Sequence, residues 1–179
     1  MTQFSIMQPT YDPIAVQPMR DELVAVGFKE LLNSEDVDSV LGSETDETTL
    51  ILVNSVCGCA AGGARPGATL ALQHNVIPDH LTTVFAGQEK MAIEHVRQSY
   101  LGEYPPSSPA IALMKGRQVL FVMERQDIVG RSPEEISTIL REVFDKYCSR
   151  QGPSISPEDY AKVVHAVACG SKIPLFNQS

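Results

Sequence analysis

The run TTLILVNSV at residues 48–56 constrains the fold more than any other part of the chain. It is β-branched and aliphatic, and its middle is continuously apolar. A strand with one face in water alternates apolar and polar residues. This run does not alternate, and it reads as a strand covered on both faces. Next along the chain is CGCAAGGARPGATLALQHN, a glycine-rich turn that opens a helix. HLTTVFAGQ at 80–88 reads as a second strand, and EKMAIEHVRQSYL as a helix with Met91, His95 or Val96, and Tyr100 along one side. PAIALMKGRQVLFVME reads as a hairpin turning at Lys115-Gly116. SPEEISTILREVFDKY has Ser132 as N-cap, Pro133 at the first helical position and Glu135 two further on, which makes a capping box. Its apolar stripe is Ile136, Ile139, Leu140, Val143, Phe144 and Tyr147.

Residues 1–18 hold three prolines and little periodicity, and read as an irregular arm. Helical spacing begins at Met19 and continues through Leu23, Val24, Phe28, Leu31 and Leu32. SEDVDSVLGS reads as a short helix with Ser34 as N-cap and Gly42 past its end. The strand–helix–strand step implies a parallel pair with a right-handed crossover. The hairpin adds antiparallel neighbours. The expected fold class is therefore α/β, a central mixed sheet of four strands flanked by helices. The domain is expected to span 1–148. Beyond it, 149–179 is a proline-containing linker and a helical extension, with Ser156 capping a last helix from Pro157 to Cys169 and a stripe of Tyr160, Val163, Val164 and Val167. A helix this short is marginal alone, so it is expected to dock.

A chain of 179 residues with 43% hydrophobic content can bury a core of its own. Its formal net charge is −8 and it has no run of Lys and Arg, which argues against a nucleic-acid partner. The N-terminus carries no basic region ahead of an apolar one, and no run is long and apolar enough to span a bilayer. The expected location is the cytoplasm, with no membrane partner. Structural disulfides are rare there. A close cysteine pair in that compartment points to catalysis, redox sensing or metal binding.

Cys57 falls where the first strand ends and the next helix begins. Free N–H groups and the partial positive charge of a helix N-terminus stabilise a thiolate, which is the attacking form. Cys59 comes after one glycine. Two extended residues span only about 7 Å, so any bend brings the two α-carbons within disulfide range. A strained disulfide is easily reduced, which suits a device that cycles. As half of a metal site the pair would need two more ligands. His74, His80 and His95 are available but none stands at zinc-finger spacing, and there is no second close cysteine pair. No metal and no bound organic cofactor is expected, because no glycine fingerprint of dinucleotide-binding form succeeds a strand. Packing alone is a third reading of the pair. Ser108-Pro109 opens the hairpin's first strand, where proline reads as a strand-start residue or as a cis bond.

The order of these elements resembles the thioredoxin fold: a strand ending in a close cysteine pair at a helix start, then strand, helix, proline, hairpin and final helix. More closely, VNSVCGCAAG, ARPG, TVFAGQ and YPPSSPAIALMKG resemble the bacilliredoxins of bacteria that use bacillithiol, over roughly residues 11–148. The resemblance implies a thiol–disulfide oxidoreductase that removes bacillithiol from mixed disulfides on oxidised client proteins. Cys57 would be the nucleophile and Cys59 the resolving cysteine, and a Cys59→Ser protein would accumulate the mixed disulfide on Cys57. Ser108 and Pro109 would stand at the cis-proline position that faces the cysteines. Bacillithiol would be the co-substrate and, with a flavin-dependent disulfide reductase, would complete the cycle. Disulfide-isomerase activity is the alternative within the family; a redox sensor or a metal-binding module is the alternative outside it. Bacillithiol carries a malate, and Arg65, eight positions after Cys57, is a candidate carboxylate partner or else a solvated arginine. The strand LILVNS lacks the buried acid that thioredoxins carry before their cysteines, and one residue rather than two separates the pair. Cys148 reads as structural, and Cys169 falls outside the resemblance with no role assigned.

Overall fold

A computed structural model of the chain describes residues 8–177. Its central sheet is built around β2 (Thr48–Asn54), every residue of which is buried. On one side β2 pairs parallel with β4 (His80–Phe85), from Thr49 opposite His80 to Asn54 opposite Phe85. On the other side it pairs antiparallel with β5 (Ala110–Lys115), which turns into β6 (Gln118–Met123). A two-residue strand, β1 (Lys29–Glu30), lies parallel to β4 at the edge. The order β1-β4-β2-β5-β6 makes a mixed sheet of five strands rather than four. The added strand is charged and too short to show a pattern, and it lies where helical spacing was expected to continue. Gly27 ends that continuation: its φ is +106°, a conformation that glycine adopts without strain. A separate antiparallel pair joins β3 (Val76–Ile77) to β7 (Arg150–Gln151). This is a thioredoxin-like α/β fold.

The pleat of β2 sends Leu50 and Leu52 to one core and Ile51 and Val53 to the other. The first core lies under α3, which runs as a π-helical stretch (Ala60–Ala64) into a regular one (Arg65–Ala71), and under α6 (Pro133–Tyr147). These two helices approach closely at Gly67, where a β-carbon would stand 2.7 Å from Ile136 Cγ2. The second core lies under α2 (Ser34–Leu41) and α4 (Lys90–Ser99). In α4 the buried residues are Ala92, Ile93 and Val96, while Met91 is exposed, so the apolar side is turned from the expected one. The Ser132–Glu135 capping box of α6 forms as expected. Asn33, not Ser34, caps α2, and Gly42 at its end keeps right-handed geometry. A short helix, α5 (Arg125–Ile128), links β6 to α6.

The two termini depart most from expectation. Residues 1–7 of the expected irregular arm lie outside the described residues, and the rest of it is largely helix: α1 spans Pro13–Val24. Asp12 caps it by accepting from Ile14 N–H at 2.9 Å. Pro18 inside this helix removes one backbone donor. Burial of Val16, Met19 and Leu23 offsets that loss. At the other end, α7 is one turn, Pro157–Tyr160, and not a helix to Cys169. Residues 163–169 are irregular, with Val164 and Val167 exposed. The reason is that their backbone is used elsewhere. Ala166 N–H donates to Glu22 at 3.1 Å, Ala166 C=O accepts from Arg65 at 3.1 Å, and Gly170 N–H donates to Val56 C=O at 2.8 Å. A helix would consume those groups internally. Ala166 and Ile173 close a third apolar cluster with Val16, Met19, Val56 and Phe85. Tyr11 and Leu175 then form a β-bridge, so the first and last described segments meet near the carboxyl ends of β2 and β4.

Candidate active site

Cys57 sits just past the carboxyl end of β2. Its carbonyl accepts from both Ala60 and Ala61 N–H at 3.1 Å, so it caps the helical segment that contains Cys59. Both cysteines are free and half-buried, and their sulfurs stand 2.7 Å apart in a hydrogen bond. Burial acts to raise the Cys57 pKa, but it is outweighed. The Cys59 thiol, the Ser55 hydroxyl, the Ala60 N–H and the charge of Arg125 together hold it below the ordinary thiol range. Burial, its hydrogen bond to Cys57 and the neighbouring thiolate push Cys59 up to about 11. The pair is therefore polarised: Cys57 ionises first, and Cys59 remains a thiol that donates to it.

Cys57 opens onto a cleft of about 450 Å³ whose rim includes Tyr11, Ser55, Ser108, Gly170, Arg97 and Arg125. The Ser108–Pro109 peptide is cis; Ser108 is half-buried at the cleft, while Pro109 is buried at the start of β5. Arg97 and Arg125 were not singled out in the sequence: Arg97 looks like an ordinary helix arginine there, and Arg125 falls between the hairpin and the Ser132-capped helix. Among the described residues, the buried Nε of Arg97 has no hydrogen-bond partner.

Arg65 is placed otherwise than expected. It is neither solvated nor open to a ligand, but fully buried beneath the cysteine segment. Nε donates to Glu22 Oε2 at 2.9 Å, Nη1 donates to Asn54 Oδ1 at 3.0 Å and to Ser55 C=O at 2.8 Å, and Nη2 holds the Ala166 carbonyl. Burial lowers its pKa and the charge of Glu22 opposes that. The π-helical stretch before it explains the placement. A π turn holds an extra residue, and one residue is about 100° of rotation around a helix, so the sequence periodicity misassigns the face of everything after it. Glu22 also accepts from the ring of His165 at 2.7 Å. The strand before the cysteines indeed has no acid. A buried acid reaches this region from α1 instead, and its signal was a lone Glu between the buried Met19 and Leu23.

The other histidines pair with surface carboxylates: His74 with Asp145, His80 with Glu47 and His95 with Asp38. Among the described residues, no three His, Cys, Asp or Glu side chains gather to hold a metal ion. Cys148 lies at the opposite end of β2, near Thr48, where burial pushes its thiol up to about 11. Among the described residues no helix is long and apolar enough to cross a membrane.

A family model described as disulphide isomerase matches residues 11–148. A bacilliredoxin of Geobacillus kaustophilus is 52% identical over 134 residues, which cover 74% of this chain and 91% of that one. The chain belongs to the bacilliredoxin family. A Salinibacter ruber bacilliredoxin is 48% identical over 143 residues, 80% of this chain and 83% of that one. A spinach chloroplast thioredoxin f structure aligns with 72% of this chain and 93% of its own at 13% identity, with a TM-score of 0.46. Family membership and a polarised thiol pair make this bacilliredoxin-family chain, in general terms, a thiol oxidoreductase.

Proposed function

We propose that this protein removes bacillithiol from mixed disulfides on oxidised client proteins, in the cytoplasm and without a bound cofactor. The observation that carries the reading is the polarised pair, a Cys57 thiolate held by the Cys59 S–H. Cys57 Sγ attacks the bacillithiol sulfur of the client. The client's sulfur leaves as a thiolate and takes a proton, and bacillithiol stays on Cys57. Cys59 then attacks Cys57 Sγ and expels bacillithiol, leaving a Cys57–Cys59 disulfide that two free bacillithiols reduce; or free bacillithiol attacks the bacillithiol sulfur of the adduct and expels the Cys57 thiolate. Either route ends in bacillithiol disulfide. A flavin-dependent disulfide reductase returns the bacillithiol disulfide to thiol. Arg97 and Arg125 at the cleft rim are the cations suited to the malate carboxylates, the role once open to Arg65.

The test is to incubate the reduced protein with a bacillithiol-modified client and track both by intact mass. The client is expected to lose its bacillithiol in the presence of wild-type protein and to keep it with Cys57→Ser. Equal loss with Cys57→Ser would reject the assignment. The description of the matching family model favours a second reading, isomerisation of protein disulfides. Recovery of a scrambled disulfide client without added low-molecular-weight thiol would support that instead.

A further inference from the structure

The tail brings a third cysteine to the site. A β-carbon on Gly58, the residue between Cys57 and Cys59, would stand 3.7 Å from Cys169 Sγ. The α-carbons on either side of Gly58 are each about 3.8 Å from its own across trans peptides. The backbone agrees with this placement. Gly170 N–H donates to Val56 C=O at 2.8 Å; one residue back along the tail is Cys169, and one residue on from Val56 is Cys57. Gly170 also lines the cleft onto which Cys57 opens.

We propose that Cys169 is a second resolving thiol of this site, acting on the mixed disulfide held by Cys57. The inference rests on the reading of Cys57 as nucleophile, and it lies outside the family-matched span of residues 11–148. In the step, Cys169 gives up its proton and its sulfur attacks Cys57 Sγ. The bond from Cys57 to the low-molecular-weight thiol breaks as the Cys57–Cys169 bond forms. That thiol leaves as a thiolate and takes a proton. One disulfide replaces another, so no net oxidation occurs. Two further equivalents of a low-molecular-weight thiol return the Cys57–Cys169 disulfide to two thiols and leave as their own disulfide.

Three observations favour this role over a bystander thiol. Cys169 is half-buried, not sealed in the core. Its tail is fastened on both sides, at Ala166 by Glu22 and Arg65 and at Gly170 by Val56, while Val167 between them is exposed. The sulfur is thus tethered beside the cysteine pair at high local concentration. Cys57 and Cys169 both act on the buried guanidinium of Arg65, which places the two sulfurs around one positive charge.

The experiment uses the full chain and bacillithiol disulfide as the probe. Reduced Cys59→Ser, Cys57→Ser and Cys59→Ser/Cys169→Ser proteins each receive one equivalent and are monitored by intact mass and non-reducing peptide mapping. In Cys59→Ser the bacillithiol adduct is expected to be transient, in place of the accumulation that the cysteine pair alone implies, and the map to join the peptides of Cys57 and Cys169. In the double variant the adduct on Cys57 is expected to last about tenfold longer or more, since no tethered thiol remains. If Cys59→Ser holds its adduct as long as the double variant does, Cys169 is not a resolving thiol, and the role of Cys57 stands. If the double variant takes up no bacillithiol on Cys57, the proposed function falls, and this inference with it. Matching thermal unfolding of the variants keeps loss of fold from imitating either result.

Discussion

Replacing Arg65 by methionine should be the most damaging single change in the lower half of the site. Methionine keeps much of the apolar length and removes every donor. Glu22 would lose its charge partner, and Asn54 Oδ1 and the carbonyls of Ser55 and Ala166 would lose their hydrogen bonds. Both members of the ion pair have 0% side-chain exposure, so water cannot replace what is lost. Removing one partner of such a pair costs roughly 3–5 kcal/mol. At about 2–4 °C per kcal/mol for a chain of this size, the midpoint of thermal unfolding should fall by roughly 6–20 °C. Circular dichroism during urea and thermal unfolding measures both quantities. Lys162→Met is the control, because its pair with Asp159 lies on the surface and should be worth less than about 1 kcal/mol. Glu22→Leu in the Arg65→Met background removes the stranded charge and should restore part of the loss. The reasoning is refuted if Arg65→Met costs no more than Lys162→Met, or if the second substitution adds its own full penalty.

Three further outcomes are expected. The rate of Cys57 alkylation by iodoacetamide should rise with pH below the range of an ordinary thiol, and Cys59→Ala should move that profile upward, since the lost S–H no longer stabilises the thiolate; an unchanged profile would show that Cys59 does not hold the charge. Gly67→Ala should destabilise the fold by about 1–3 kcal/mol in urea unfolding, because its β-carbon would meet Ile136 at 2.7 Å and the Pro133 carbonyl at 3.2 Å. Arg97→Gln and Arg125→Gln should raise KM for a bacillithiol-modified client about tenfold each, one charge-assisted pair of roughly 1.5 kcal/mol apiece, while leaving the reaction with an uncharged low-molecular-weight disulfide much less affected.

What the sequence discloses here is what local patterning can encode. The unbroken apolar middle of β2, the placement of Cys57 between that strand and a helix start, and the Ser132–Glu135 box each carry their signal within a few residues, and the structure has them as read. Pro18 concealed the first half of α1, because a proline within a helix is disfavoured locally; here burial of Val16, Met19 and Leu23 offsets it. The tail misled in the opposite way. Its valines have helical spacing, but Ala166 and Gly170 spend their backbone groups on Glu22, Arg65 and Val56. Arg65 and Glu22 lie 43 positions apart, and nothing around either announces the other. Cys169 was equally silent, for its only distinction is the neighbour that folding gives it.

The fastening of Ala166 has a consequence for how the molecule is made. Glu22 and Ala166 are 144 positions apart, and synthesis proceeds from the N-terminus. The strands, the cysteine pair and α6 are all translated before the residues that cover Arg65 and Glu22. A nascent chain therefore holds Cys57 above charges that are still open to water, until the stretch around Ala166 emerges and seals them.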